Sequence, residues 1–424
     1  MTFADGFSYR DGSLHCGPVR IADITRETGT PVWVYHFDSI VARYHEHRDA
    51  FAGLTHQTCY AVKANSSLAL LRMLARAGCG FDANSRGELH RCLTAGADPT
   101  RIIMTGVGKS SADIAAALDA GIAYFNVESA SECRLISELA TRRGVRANIV
   151  LRLNPDIETD THPYISTGEA SHKFGLNPAD IRTLASQESW LPGVRIAGLS
   201  FHLGSQLVST DPYRDALRLL LKVLDDITPL LPEAPDVVDV GGGFGVPYAA
   251  DESALSPESL ADVIRDVLGD RAASIQLITE PGRSFVANAG ALFCSVEHLK
   301  PSAPNRTFVI LDAGMNDLMR PALYQARHAI IPVQRDENAE PMLCDVVGPV
   351  CESSDVFVAG TELPSSLQRG QLVAILSAGA YGSSMSSTYN SRPLATEVAV
   401  VGDAWTVIRE RQTLDDMLRG EKLR

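Results

Sequence analysis

Reactive side chains fall at a handful of places in this sequence, many of them at the close of a β-rich run. YAVKAN at 60–65 carries Lys63. A lysine there reads in two ways: a solvated strand-end cation, or an amine in an apolar mouth, neutral enough to condense with a carbonyl. GGGFGVPY at 241–248 is a glycine cluster. It fails the dinucleotide fingerprint G-x-G-x-x-G because Val246 stands at the last glycine position. GVGKSS at 106–111 fails as a P-loop, with Ile103 where the first glycine belongs. Each reads as an ordinary turn or as a loop whose backbone N–H groups face an anion.

EPGRS at 280–284 adds the carboxylate of Glu280 and the guanidinium of Arg283 around a Pro-Gly turn. A lysine, an anion cradle at Gly241, Gly242 and Gly243, and a carboxylate together fit pyridoxal phosphate, whose pyridine nitrogen needs an acidic partner. HLGSQ at 202–206 supplies His202, either a core histidine or a ring to stack on a planar cofactor, and Ser205, a donor to phosphate. GPVCESSDVF at 348–357 sets Cys351 among Glu352, Ser353 and Asp355. That polar setting favours a reactive thiol over a structural one. AGAYGSSMSSTYNSRP at 378–393 surrounds Tyr381 with small and hydroxyl residues, poor material for a core and suited to a binding loop.

Such residues converge only if the elements beneath them are arranged to do so. Strands are expected at 60–63, 80–82, 102–104, 123–126, 149–153, 198–202, 237–240 and 275–279, with helical stretches between. Helix 129–143 opens on a capping box of Ser129 and Glu132, and helix 257–268 on Ser256 with Pro257 at its first position. Eight βα units in this span match a (β/α)8 barrel of the TIM type. The strand candidates end in Lys63, Asp82, Asn126 with Glu128, Arg152 with Asn154, His202, the glycine cluster and Glu280. In a barrel these ends share one mouth, where such enzymes keep their active sites. After residue 285 short alternating runs at 307–311, 329–333, 372–376 and 397–401 predict a mostly antiparallel β-sandwich or barrel domain, joined by the run at 32–35. The expected division is a barrel over 36–285 and a β domain from 1–35 plus 286–424. The long polar loop 153–174 reads as functional.

Composition narrows the class. The 424 residues include 45% hydrophobic and 21% charged residues, ordinary for two well-cored domains. A net charge of −13, with no local basic patch, argues against a nucleic-acid partner. No apolar run approaches ~20 residues, and the first residues lack the basic start and apolar run of a secretory signal. A cytoplasmic enzyme without membrane contact is therefore expected. The eight cysteines contain no C-x-x-C pair, so neither a zinc site nor a disulfide framework is expected. Seven read as small buried hydrophobes.

In this order, the motifs resemble the fold type III pyridoxal-phosphate-dependent decarboxylases, in the branch acting on diaminopimelate. The likeness runs over nearly the whole chain: SYRDGSL, YAVKAN, GFDANSRGEL, NPDIETDTHPYISTG with KFG, HLGSQ, GGGFG, EPGRS, DAGMNDLMRPALY, GPVCESSD and AGAYGSSMSSTYNSRP. It implies an alanine-racemase-like barrel and the decarboxylation of meso-2,6-diaminoheptanedioate to L-lysine and carbon dioxide, the last step of lysine biosynthesis.

The resemblance also implies roles. Lys63 would hold the cofactor covalently, and His202 would stack on its ring. Gly241, Gly242, Gly243, Gly282, Arg283 and Ser205 would surround the phosphate, with Tyr381 closing the site. Glu280 would meet the pyridine nitrogen, and Cys351 resembles the acid that reprotonates the reacting carbon. Arg283, Arg320, Tyr324, Glu352 and Tyr381 match substrate-binding positions. Arg320 can pair with a distal carboxylate and Glu352 with a distal ammonium. A homodimer is implied, with Cys351 and Glu352 reaching into the partner's barrel. The competing readings are a relative acting on ornithine, lysine, arginine or a tethered amino acid, and a non-catalytic pyridoxal-phosphate carrier. A distal carboxylate gives Arg320 and Tyr324 a purpose, and Cys351 with the β domain argues against a bare carrier. Roles for Asp82, Asn126 and Lys173 are left open at this level.

Overall fold

The alternation of apolar runs and helical stretches resolves, in a computed structural model describing residues 4–157, 173–187, 191–249, 252–302 and 306–423, into eight parallel strands closed on themselves. These are β1 (His56–Ala61), β2 (Gly80–Ala83), β3 (Ile102–Met104), β4 (Tyr124–Val127), β5 (Ala147–Arg152), β6 (Val194–Ser200), β7 (Val237–Asp239) and β8 (Gln276–Thr279). Closure comes from Leu277, Ile278 and Thr279 of β8 in register with His56, Gln57 and Thr58 of β1. Cys59, Ile103, Val150, Ala197, Val237 and Ile278 form a buried apolar cluster contributed by six of the strands. Only glycine fits at 198, on a bulge of β6, since a Cβ there would lie 1.9 Å from the Val237 carbonyl oxygen.

An α-helix lies in every crossover. Their ends follow local chemistry. Ser85 caps Arg86–Ala95 through the Glu88 amide, and Gly96 closes it in the left-handed region. Ser256 caps Pro257–Leu268, as the sequence predicts. Helix Asp211–Ile227 buries Tyr213, Leu217, Leu220, Leu224 and Ile227, spaced three or four apart, which gives it one apolar face. At Ala130–Arg142 the capping box is not the arrangement found. Ser129 does accept from the Glu132 amide, but the Glu132 carboxylate takes the Glu128 amide and the Lys109 ammonium. Burial of Lys109 draws the acid to that charge.

Two compact units divide the chain. Arg43–Val246 with Ser253–Ser284 hold the barrel, and Met1–Ala42, Pro247–Glu252 and Phe285–Arg424 make the other. In the second unit, Val32–His36 lies between Gly290–Ser302, antiparallel to it, and Thr396–Val401, parallel to it. These belong to a nine-stranded sheet. It is mixed, since Arg306–Leu311 and Pro341–Val347 also pair in parallel, while the remaining pairings are antiparallel. A three-stranded sheet of Phe7–Arg10, Ser13–Cys16 and Val19–Arg20 packs its Phe7, Leu14 and Cys16 into the same core as Val32, Val34 and Phe293. Most of the loop expected at 153–174, and with it most of NPDIETDTHPYISTG, lies outside the described residues.

Candidate active site

Parallel strands leave all their carboxyl ends at one mouth of the barrel, and the residues expected there arrive together. Lys63 sits in a short 3-10 turn, Val62–Ala64, just beyond β1 rather than within it. Its Nζ lies 3.8 Å from Oδ2 of Asp82 at the end of β2, with the lysine side chain 40% exposed and the aspartate fully buried. The other Asp82 oxygen, Oδ1, is buried with no hydrogen-bond partner among the described residues.

Across the mouth, Glu280 follows β8 and is buried. Burial, then the charges of Asp239 and Asp82, hold its carboxyl well above the usual range, partly opposed by Lys63. Asn126, from β4, spans the two acids. Its Nδ2 donates to Asp239 Oδ2 at 3.0 Å and to Glu280 Oε1 at 3.2 Å.

The glycine run after β7 is shaped by its neighbours. Gly241 (φ +68°) and Gly243 (φ +104°) take left-handed geometry, and a Cβ on Gly242 would fall 2.2 Å from the Glu280 carbonyl oxygen. The Gly242 amide donates to His202 Nδ1 at 3.2 Å. Burial, then Lys63 and Arg152, keep His202 well below the ordinary histidine range, so the ring is neutral. Arg283 donates to Ser205 Oγ through Nη2 at 2.9 Å, tying the loop after β6 to the loop after β8. Gly282 is packed so closely that a Cβ would lie 3.0 Å from that of Ala61.

Two ion pairs here are buried. Arg152 Nη1 meets Glu128 Oε1 at 2.7 Å, both side chains buried, and Glu128 Oε2 accepts the Gly175 amide. The Lys109 ammonium of GVGKSS is likewise held by Glu132 and the carbonyls of Gly106 and Asn126. Lys173 is found against the Phe174 ring, 5.5 Å from its centroid.

The remaining expected residues lie in the second unit. Arg320 is buried, begins helix Arg320–Tyr324, and donates to His328 Nε2 at 3.0 Å. His328 Nδ1 is held by the Leu376 carbonyl, and the Arg320 guanidinium lies 4.8 Å from the Tyr248 ring centroid. Tyr324 closes that helix, half-buried. Cys351 is exposed, whereas the other seven cysteines are buried, and its amide donates to Asn390 Oδ1 at 3.2 Å. Neighbouring Glu352 accepts the Tyr389 hydroxyl. Tyr381 is half-buried and holds φ +55°, a left-handed geometry costly for a side chain of that size. His328 and Asp239 lie outside the quoted motifs, and Tyr248, Tyr389 and Asn390 lie within them without standing out. Asp239 carries a signal nonetheless, being an acid inside an otherwise apolar strand.

A lysine-lined barrel mouth with a glycine cradle and a buried acid defines a class of cofactor enzyme. Residues 37–287 match the family model for the pyridoxal-binding domain of pyridoxal-dependent decarboxylases. Over 421 residues the chain is 43% identical to diaminopimelate decarboxylase of Pseudomonas aeruginosa, covering 99% of each. Among solved structures it is similar to diaminopimelate decarboxylase of Helicobacter pylori complexed with L-lysine, at 40% identity and a TM-score of 0.89, covering 94% of this chain and 98% of that one. The M. jannaschii enzyme in co-complex with L-lysine is 34% identical, with a TM-score of 0.93 and coverage of 100% and 99%. The chain belongs to the diaminopimelate decarboxylases.

Proposed function

We propose that this chain uses pyridoxal phosphate to decarboxylate meso-2,6-diaminoheptanedioate to L-lysine and carbon dioxide, as a cytoplasmic homodimer with shared sites. One observation carries the reading. The barrel mouth gathers an amine at Lys63, glycine turns beside Arg283 and Ser205, and a buried carboxyl at Glu280. These are the three groups that an aldehyde, a phosphate and a pyridine nitrogen require. The fit extends to glycines 241–243, which bring backbone where side chains would collide, and to Asp82 Oδ1, a buried acceptor near the lysine.

When bound, pyridoxal phosphate supplies an electron sink for the carbanion left as carbon dioxide departs. The chain's own residues do the rest. Lys63 would anchor the aldehyde carbon, with the Asp82 carboxylate 3.8 Å from its amine. Gly241, Gly242, Gly243, Gly282 and Ser205, with Arg283, would hold the phosphate, and neutral His202 would cover one ring face. Glu280 would present its carboxyl to the ring nitrogen. Arg320 and Tyr324 would read the distal carboxylate, and Glu352 the distal ammonium, with Arg283 and Tyr381 completing the substrate pocket. Cys351 of the partner subunit would carry a proton on Sγ to the reacting carbon. The barrel of 36–285 would bind the cofactor, and 1–35 with 286–424 would supply the β domain.

The test is incubation of purified protein with meso-diaminopimelate and pyridoxal phosphate, assaying lysine and carbon dioxide. Equimolar release supports the reading. Turnover of ornithine or lysine, with diaminopimelate untouched, overturns it.

A further inference from the structure

Asp239 ends β7 and is buried, yet none of the roles above uses it. Both its oxygens are committed. Oδ1 accepts the Gly241 amide at 2.8 Å, and Oδ2 accepts Asn126 Nδ2 at 3.0 Å. The same Asn126 nitrogen lies 3.2 Å from Glu280 Oε1 and 3.4 Å from Thr105 Oγ1. Asp239 therefore touches the first glycine of the cradle on one side and the acid of the mouth, through one amide, on the other.

We propose that Asp239 is a positioning residue for Glu280: with Asn126 it fixes the orientation of the Glu280 carboxyl and links it rigidly to the Gly241 turn. This rests on the proposed cofactor reading, in which the Gly241 turn faces the phosphate and Glu280 the ring nitrogen. Contacts at opposite ends of one small planar molecule would then be registered by one side chain.

The electrostatics agree with the geometry. Burial raises Asp239 to about 6, and Glu280 is held well above its ordinary range by burial and by Asp239 itself. The contact between the two acids raises Glu280 and lowers Asp239. Lys63, Asp82 and Cys59 are the other titratable groups that bear on this pair. Lys63 opposes the rise at Glu280, while Asp82 strengthens it.

Asparagine at position 239 cannot substitute. An amide there must aim its NH2 at either the Gly241 N–H or the Asn126 NH2, so a donor faces a donor in both rotamers. Exchanging the two residue types cures this. In the exchange, the amide oxygen at position 239 can accept from Gly241 while its nitrogen donates to the carboxylate now at position 126. Protonated Glu280 can donate to that same carboxylate.

The experiment compares wild type, Asp239→Asn, Asn126→Ala and the Asp239→Asn/Asn126→Asp exchange. Equilibrium titration with pyridoxal phosphate is expected to show affinity about tenfold weaker in Asp239→Asn, the scale of one lost buried hydrogen bond. The pH midpoint of the bound chromophore is expected to move in Asp239→Asn and in Asn126→Ala, and to return toward wild type in the exchange variant. Carbon-13 NMR of glutamate-labelled protein without cofactor adds a reading independent of ligand. The Glu280 carboxyl should titrate above the ordinary range in wild type and lower in Asp239→Asn, where a like charge is gone. Unchanged Glu280 titration in Asp239→Asn overturns the positioning role, as does an exchange variant no better than Asp239→Asn in affinity and chromophore midpoint. Failure of wild type to bind pyridoxal phosphate overturns the functional reading instead. Circular dichroism melts identify a variant that does not fold, and Asn126→Ala, which leaves the Gly241 bond intact, then decides.

Discussion

His202 Nδ1 accepts a hydrogen bond from the Gly242 amide at 3.2 Å, and this one contact fixes both the ring's tautomer and its charge. An acceptor at Nδ1 puts the proton on Nε2, and burial beside Lys63 and Arg152 keeps the ring neutral. His202 should therefore not titrate across the working pH range. His202→Ala is expected to weaken cofactor binding about tenfold, the scale of a lost ring stack. His202→Phe should recover part of that, keeping the stack without the polar edge. Equal losses in both variants would show that the ring acts otherwise.

Lys63→Ala is expected to abolish the absorbance of covalently held cofactor and to slow turnover about a thousandfold or more. Retention of that band would mean another lysine is the anchor. Spectrophotometric titration with pyridoxal phosphate provides the measurement.

Cys351 is the exposed cysteine among eight. A small alkylating agent should label it first, by peptide mass mapping, and inactivate in step with labelling. Cys351→Ala should bind cofactor normally and turn over about a hundredfold slower, the range of a lost general acid.

If sites are shared, two dead variants can rescue one another. Mixing Lys63→Ala with Cys351→Ala should restore about a quarter of wild-type activity, because half the dimers are mixed and each mixed dimer has one intact site. No recovery after verified subunit exchange would place all catalytic groups within one chain.

Acid should destabilise the barrel through two histidines that meet at Thr279. His47 Nε2 and His56 Nε2 each lie 2.9 Å from Thr279 Oγ1. Burial lowers His56 to about 4, and burial with His56 lowers His47 well below its usual value. A base depressed on folding stabilises above its unfolded value, near 6.5, and loses that contribution as pH falls toward the folded one. His56 alone accounts for about 2 kcal/mol between pH 7 and 5. Thermal melts at those pH values should show the drop, and His56→Gln should reduce the slope. A slope unchanged in that variant would assign the acid sensitivity to other groups.

Sequence patterning revealed the barrel because its crossovers alternate period and its strand ends carry the polar residues. Ile102–Met104 and Pro257–Leu268 match the expected bounds, whereas Lys63 falls in the turn beyond its strand. Motifs drew attention to Lys63, His202 and Glu280 because their residue types stand out against apolar runs. They said nothing of Glu128 pairing with Arg152, or Lys109 with Glu132, since such partners are chosen by the fold rather than by spacing. The mixed pairing of the second sheet was hidden for the same reason. Alternation marks a strand, but the direction of its neighbour depends on a return path hundreds of residues long.

That return path also sets a schedule. Val32–His36 is made early, yet its neighbours Gly290–Ser302 and Thr396–Val401 emerge only after the whole barrel. At ~5–20 residues per second, the strand waits roughly tens of seconds on the ribosome with both edges open. The barrel's strands pair mostly with near neighbours in sequence, so it can form during that wait. Chaperone capture would thus fall on nascent chains in which the early strand is still alone.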